Sequence, residues 1–297
     1  MPVSPRRPAE LQGRVFRGSD VVARGLLTRT ELRSSAWRPL FKDVYADARL
    51  TISHRTRCTA AARWLLPPGA AIAGRSAAAL FGACTVGTSE PIDVLVPVNR
   101  RFGPVTGLVV HTGEVAETDV LTRSGTPITT PSRTSWDLAQ WLSTEEAVTV
   151  VDGLLRRRLV SAGELRDLAH ARLGARGWKR MLRVAGLADG GAESPQESRL
   201  RVGLVLAGLP TPVTQFVVER DGCFIARLDL AWPELRVGVE YDGLWHDDPE
   251  QFHRDRHRLN RLIGNDWIVL HLTAKRFKED FPGFLIEVRQ ALRSRAR

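Results

Sequence analysis

Asp229, Glu240 and Asp242 stand in a stretch that otherwise reads as buried strand, RLDLAWPELRVGVEYDG at residues 227–243. A hairpin turning around Pro233-Glu234 sets Asp229 opposite Gly238, with Glu240 as its diagonal neighbour. Side chains alternate faces along a strand, so Asp229, Gly238, Glu240 and Asp242 share one face and Val237, Val239 and Tyr241 the other. Diagonal neighbours lie roughly 7–8 Å apart at Cα. Two carboxylates at that spacing can converge on one ion, and Gly238 leaves room opposite Asp229. Like charges in a partly buried place need a proton or a cation between them. Oxygen-only donors favour a hard ion such as Mg²⁺, with Mn²⁺ as a substitute. Such an ion can orient a water and polarise a phosphoryl oxygen, which is the chemistry of phosphodiester hydrolysis.

Other groups near this stretch bear on the same chemistry. His246 follows the hairpin and suits a general acid or base; a loop histidine bonded locally is the plainer alternative. Glu197 lies in SPQE, where Ser194, Pro195 and Glu197 take the N-cap, N1 and N3 places of a helix. That capping box explains Glu197 without any function, and a catalytic role is the competing reading. On the next helix Asp255, Arg258 and Leu262 share a face by i+3 and i+4 spacing, with Leu262 facing the core and the two charges able to pair.

The elements around these residues predict a compact α/β unit. Over residues 193–297 the order is helix, three strands, helix, strand, helix, giving a mixed sheet flanked by helices. Upstream, residues 19–48 read as helix, turn, helix and wing. SDVVAR opens the first helix, Thr28 and Glu31 have the spacing of a capping box for a second helix through Ser35, and FKDVYA is extended. Basic residues of this part, Arg29, Arg33, Arg38 and Lys42 among them, are placed to meet phosphates, or else form a solvated face. Residues 53–130 mix helices (HRTRCTAAARWLL; GRSAAALFG, capped by Ser76) with strands (PIDVLVPV, GLVVHTG). His54 and His111 have no partner at ligand spacing and read as structural. From 131 to 186 the chain is helical, with capping boxes at Ser143/Glu146 and Ser161/Glu164. The Gly-rich GLADGGAESP predicts a boundary, so the expected domains are 1–52, 53–190 and 191–297. The fold class expected is an α+β or α/β multidomain protein.

Composition narrows the function classes. The chain has 297 residues, 43% of them hydrophobic and 26% charged, ample for folded cores and unlike a disordered chain. No apolar run approaches the roughly 18 residues a membrane span needs, and the first residues lack the apolar core of a signal peptide. Three scattered cysteines, Cys58, Cys84 and Cys223, suit a reducing cytoplasm rather than a disulfide framework or zinc ribbon. The formal net charge is +10, but only four of the 43 basic residues are Lys. The Arg excess comes with abundant Ala and Gly, as a GC-rich genome would give, so the charge is only weak support for a nucleic-acid partner.

ESRLR, LDLAWPELRVGVEYDGLWH, DRHRLNRL and DWIVLHLT together resemble the domain shared by very-short-patch-repair-like (Vsr-like) endonucleases of the PD-(D/E)XK superfamily. The resemblance covers about 100 residues. It implies a restriction-endonuclease-like fold, a Mg²⁺-dependent DNA endonuclease activity, metal binding by Asp229 and Glu240, and supporting catalytic roles for Glu197 and His246. The general superfamily pattern has a Lys two residues after the Glu, where this chain has Asp242. His246, Arg254 or Arg258 would then supply the missing positive charge. GLLTRTELRSSAWRPLFKDVYAD, GRSAAALFG and TPSRTSWDLA resemble AbiEi-like antitoxins of type IV toxin–antitoxin systems over roughly residues 14–140, which implies a DNA-binding winged helix. The expected function is a cytoplasmic, metal-dependent DNA endonuclease of repair or defence. The alternative is a DNA-binding regulator or antitoxin with an inactive nuclease-like domain. DNA is the expected partner, beside a cognate toxin or repair protein, and no membrane is.

Overall fold

The structure, a computed structural model, describes residues 5–100, 102–242, 261–262 and 264–296. The chain forms two compact units, Met1–Trp141 and Leu142–Arg297. Both mix helices with sheet, so the architecture is α+β in more than one unit.

The first unit opens with β1 (Val15–Arg17) and α1 (Gly18–Ala23), followed by β2 (Trp37–Phe41) and β3 (Val44–Asp47). These strands make a three-stranded antiparallel sheet in the order β1-β3-β2. Leu11, Phe16, Val21, Leu27, Leu32 and Trp37 bury themselves against one another in its small core, each apolar side chain contributing about 1.5–3 kcal/mol. The hairpin between β2 and β3 turns at Asp43, whose φ is 61°. Its carboxylate accepts hydrogen bonds from the Ser19 amide and hydroxyl and so holds the start of α1. The second helix expected through Ser35 is only a 3₁₀ turn, Glu31–Arg33. Its capping box is present: the Thr28 amide donates to Glu31, and the Glu31 amide donates to the Thr28 hydroxyl. Beyond it Ser34 and Ser35 favour no helix, and burial of Ala36 and Trp37 draws the chain into β2.

The rest of this unit is a five-stranded sheet in the order β6-β5-β4-β8-β7. The strands are β4 (Ala71–Ile72), β5 (Ile92–Pro97), β6 (Leu108–Gly113), β7 (Val120–Arg123) and β8 (Thr126–Thr129), with α2 (His54–Trp64), α3 (Gly74–Leu80) and α4 (Pro131–Trp141). Ser76 does not cap α3, which starts two residues earlier. Its buried hydroxyl instead meets His54 Nε2 at 2.9 Å and accepts from the Asp93 amide. His111 Nε2 lies 3.3 Å from Asp93, and its ring stacks on Trp141. Both histidines are therefore built into the scaffold, as the sequence suggests.

In the second unit, α5 (Thr144–Arg156), α6 (Ala162–Ala171) and α7 (Trp178–Leu187) precede α8 (Pro195–Leu206). The capping boxes at Ser143/Glu146 and Ser161/Glu164 are formed. The boundary expected near residue 190 falls inside this unit. Asp152 of α5 and Arg201 of α8, each 2% exposed, pair at 2.8 Å. The Asp189 amide donates to the other oxygen of Asp152. At Gly190 a Cβ would meet the Arg156 amide nitrogen at 2.9 Å. Gly190 and Gly191 serve close packing there rather than a linker.

The second unit's sheet has the order β12-β11-β10-β9: β9 (Val213–Arg220), β10 (Cys223–Trp232), β11 (Val237–Asp242) and β12 (Ile268–Thr273). β9, β10 and β11 are antiparallel neighbours, while β11 and β12 run parallel. The sheet is mixed, as expected. Two helices follow, α9 (Ala274–Glu279) and α10 (Phe281–Arg295), divided at Asp280, which caps α10 through the Gly283 amide. Leu262, expected in the core, is 1% exposed. Among the described residues no helix is long and apolar enough to cross a membrane.

Candidate functional site

The register of the hairpin differs from the expected one. A 3₁₀ turn at Pro233–Leu235 is followed by Arg236 in the left-handed region, and the strands pair with Ala231 opposite Gly238 and Leu230 opposite Val239. The ladder ends at that second pair, so Asp229 lies just beyond it and is not the residue opposite Gly238. Gly238 has its own reason: a Cβ there would meet Leu228 Cδ1 at 2.6 Å. The faces are as expected for the second strand. Val237, Val239 and Tyr241 pack into the core beneath α8 and α10. Gly238, Glu240 and Asp242 take the other side.

Asp229 lies where the regular sheet is disturbed. Leu228 and Ala231, three residues apart, line the same apolar cluster, so alternation slips between them. On the neighbouring strand the pairs Leu228–Phe216 and Leu230–Thr214 flank Gln215, whose φ is 50°. A left-handed conformation at a residue other than glycine costs about 1–2 kcal/mol. Gln215 Nε2 donates to Glu197 Oε2 at 2.8 Å and lies 3.3 Å from Asp229 Oδ1. Ionised carboxylates only accept, so the amide must present its NH₂ group to both. Gln215 Oε1 is buried and has no hydrogen-bond partner among the described residues.

Glu197 departs from its capping role. The Ser194 hydroxyl does accept from the Glu197 amide and caps α8. The Glu197 carboxylate, 8% exposed, accepts instead from the Glu193 amide at 2.8 Å and from Gln215. The helix start thus delivers a buried carboxylate towards the strand pair. Asp229 Oδ2 accepts from the Tyr241 amide at 2.8 Å. Glu240 is 8% exposed and pairs in register with His271 of β12. His271 Nδ1 lies 3.9 Å from Glu240 Oε2 and 3.2 Å from Asp242 Oδ2. With Asp242 ionised, Nδ1 carries the proton of that contact.

Glu197, Asp229, Glu240 and Asp242 are therefore brought to one sheet region, linked by two residues the sequence did not flag, Gln215 and His271. Both come from strands outside the carboxylate hairpin. Only the strand pairing could have singled them out, since each sits in an ordinary alternating run. His246, Arg254 and Arg258 lie outside the described residues.

As a place for a divalent cation, the donor set fits in kind. It offers the Asp229 and Glu240 carboxylates from neighbouring strands, the Glu197 carboxylate bridged to Asp229 through Gln215, and a Gln215 amide oxygen without a partner among the described residues. Among the described residues no three His, Cys, Asp or Glu side chains are grouped to hold a metal. Mg²⁺ does not need such a cage, because it usually keeps several waters and is held by one or two carboxylates.

The basic residues of the first unit assemble separately. A groove of about 1140 Å³ is lined by Arg17, Arg29, Arg33 and Lys42, with Ser19 and the apolar Leu40 and Phe41 among its other walls. Arg38 does not line it, and its guanidinium donates to the Ala48 carbonyl. Arg17 is paired with Asp43 at 3.2 Å.

No family model matches this chain. Over 211 residues it is 31% identical to Uncharacterized protein Rv2248 of Mycobacterium tuberculosis strain H37Rv, covering 71% of this chain and 76% of the relative. Uncharacterized protein MT2308 of strain CDC 1551 matches with the same figures. The chain belongs to the family of these mycobacterial proteins. Among solved structures, the crystal structure of the RV2827C protein from Mycobacterium tuberculosis is similar at 19% identity with a TM-score of 0.41, covering 67% of this chain and 78% of that one.

Proposed function

We propose that the chain is a metal-dependent DNA endonuclease in which the first unit holds the duplex backbone and the second hydrolyses a phosphodiester. The observation that carries this reading is that Gln215 joins the buried Glu197 carboxylate to Asp229, just beyond the end of the ladder that β10 makes with the strand carrying Glu240. A structural role alone explains such a gathering poorly. Two carboxylates bridged by one amide repel one another, and an apolar replacement would fit a sheet interior at lower cost. The resemblance to Vsr-like nucleases supports the same residues in the same roles.

Asp229 and Glu240 would hold Mg²⁺ or Mn²⁺. The bound ion would supply Lewis-acid polarisation of the phosphoryl oxygen and a more acidic water. The chain's own groups do the remaining work. Gln215 keeps Glu197 and Asp229 facing each other as acceptors. Asp242 orients the imidazole of His271 beside Glu240, at the place where the superfamily pattern has Lys. His246 is the candidate acid or base by sequence. In the first unit, Arg29, Arg33 and Lys42 line one groove and suit contacts to phosphate, which position a duplex without reading its bases.

That groove also favours a second reading, a DNA-binding regulator or antitoxin whose second unit does not cut. The two readings separate in a cleavage assay on supercoiled plasmid, linear duplex, mismatched duplex and single strand, each with Mg²⁺, Mn²⁺ or chelator. The nuclease reading expects metal-dependent cleavage that Asp229→Ala and Glu240→Ala remove. DNA binding without cleavage of any substrate would leave the regulator.

A further inference from the structure

We infer that Gln215 is a positioning residue, held in a strained backbone conformation because its amide clamps Glu197 and Asp229 in the geometry that binds a divalent cation. This rests on the nuclease reading and deepens it. The clamp joins two elements that no backbone pairing links, since Glu197 comes from the start of α8 and Asp229 from the middle of β10. One NH₂ group reaches both carboxylates, at 2.8 and 3.3 Å. Both carboxylates accept from the one amide, so Gln215 fixes the place of each relative to the other. The neighbouring contacts complete it. Glu193 gives its amide to the same Glu197 oxygen, and Tyr241 gives its amide to the other oxygen of Asp229. Each carboxylate is thereby held from two sides, with Gln215 the donor common to both.

The backbone carries the independent part of the argument. Gln215 has φ of 50°, a conformation glycine adopts without strain. Were the position only structural, glycine would serve the backbone better, and the glutamine side chain would have nothing to do. A side chain retained at such a position is there for what its amide touches.

Gln215→Gly separates the two roles, because it removes the clamp while relieving the backbone. The experiment is calorimetric titration of Mn²⁺ into the full chain, beside thermal melting, for the wild type, Asp229→Ala and Gln215→Gly. The expected result is wild-type binding that Asp229→Ala abolishes and Gln215→Gly weakens at least tenfold, with Gln215→Gly melting no lower than the wild type. Unchanged Mn²⁺ affinity in Gln215→Gly would overturn the positioning role and leave the nuclease reading standing. A lower melting temperature in Gln215→Gly would also overturn it, by showing the side chain to be structural. A wild type that does not bind Mn²⁺, or binds it equally after Asp229→Ala, would remove the cation site and this inference with it.

Discussion

The groove of the first unit and the carboxylate cluster of the second place their charges by opposite means. Arg29, Arg33 and Lys42 are exposed, sit on a turn, a 3₁₀ turn and a hairpin end, and converge on one open concavity. Glu197 and Glu240 are each only 8% exposed, and the cluster is fixed by strand register, a helix N-terminus and hydrogen bonds from three directions. Exposed cations stay solvated and can follow a partner's phosphates at little cost. Buried anions must be held against their own repulsion, so the scaffold around them has to be stiff. On the proposed function, binding falls to a surface that tolerates change and chemistry to an interior that does not.

Substitutions test whether the two regions act separately. The largest effect is expected at Asp152, which pairs with Arg201 where both are 2% exposed. Asp152→Ala leaves a buried guanidinium without its anion, at a cost of about 3–5 kcal/mol in denaturant unfolding. It should also disturb the α8 start that carries Glu197, while DNA binding by the groove persists. Loss of DNA binding in this variant would break the separation between the two regions. Next comes the groove itself. If Arg29, Arg33 and Lys42 each meet one phosphate, changing all three to Ala should flatten the log–log dependence of duplex affinity on salt by about 2.7, measured by fluorescence anisotropy. Arg38→Ala, outside the groove, should leave that slope alone.

A smaller effect is expected at Ser194. Its hydroxyl caps α8, so Ser194→Ala should lower stability by about 1 kcal/mol, read from denaturant melts. The loss should be one of stability and not of DNA affinity. The smallest is a pH effect in the first unit. Burial pushes the Asp47 carboxyl up, but the amides of Arg49 and Gly13 and the Arg7 guanidinium outweigh it and bring its pKa to about 2, below the usual 3.8. A carboxyl depressed in the folded state stabilises fully above its unfolded pKa and loses that contribution as pH falls. Thermal melts of the wild type should therefore lose this contribution between about pH 4 and pH 2, and Asp47→Asn should lose less over the same interval.

Much of the cluster was legible in the sequence because a strand has a period of two. Counting along VGVEYD puts Glu240 and Asp242 on one face whatever the turn does. The partner of Asp229 was not legible to the same degree. The 3₁₀ turn at Pro233–Leu235 and the left-handed Arg236 shape the connection, and the register moves until Ala231, not Asp229, stands opposite Gly238. Gln215 and His271 escaped notice because each acts across a strand boundary from a segment with nothing unusual in its composition. The starts of α5 and α6 are legible from SxxE spacing, a local signal, whereas α7 follows Gly177 and has no such cap. The packing of α5 on α8 is not legible in this way, since it is long-range, with the buried pair Asp152–Arg201 joining residues 49 apart. GLADGG looked like a linker for the same reason: glycine serves flexible loops and tight packing alike, and only the neighbour at Gly190 tells which.

The most direct test of the account measures binding and cleavage on one sample of the full chain, wild type beside Glu240→Ala. Duplex affinity would be taken in chelator and cleavage after adding Mg²⁺. The account predicts that Glu240→Ala binds duplex as tightly as the wild type and cuts none of it. A variant that still cuts would show that the carboxylate cluster is not the active site, and one that no longer binds would show that the groove and the cluster do not divide the work.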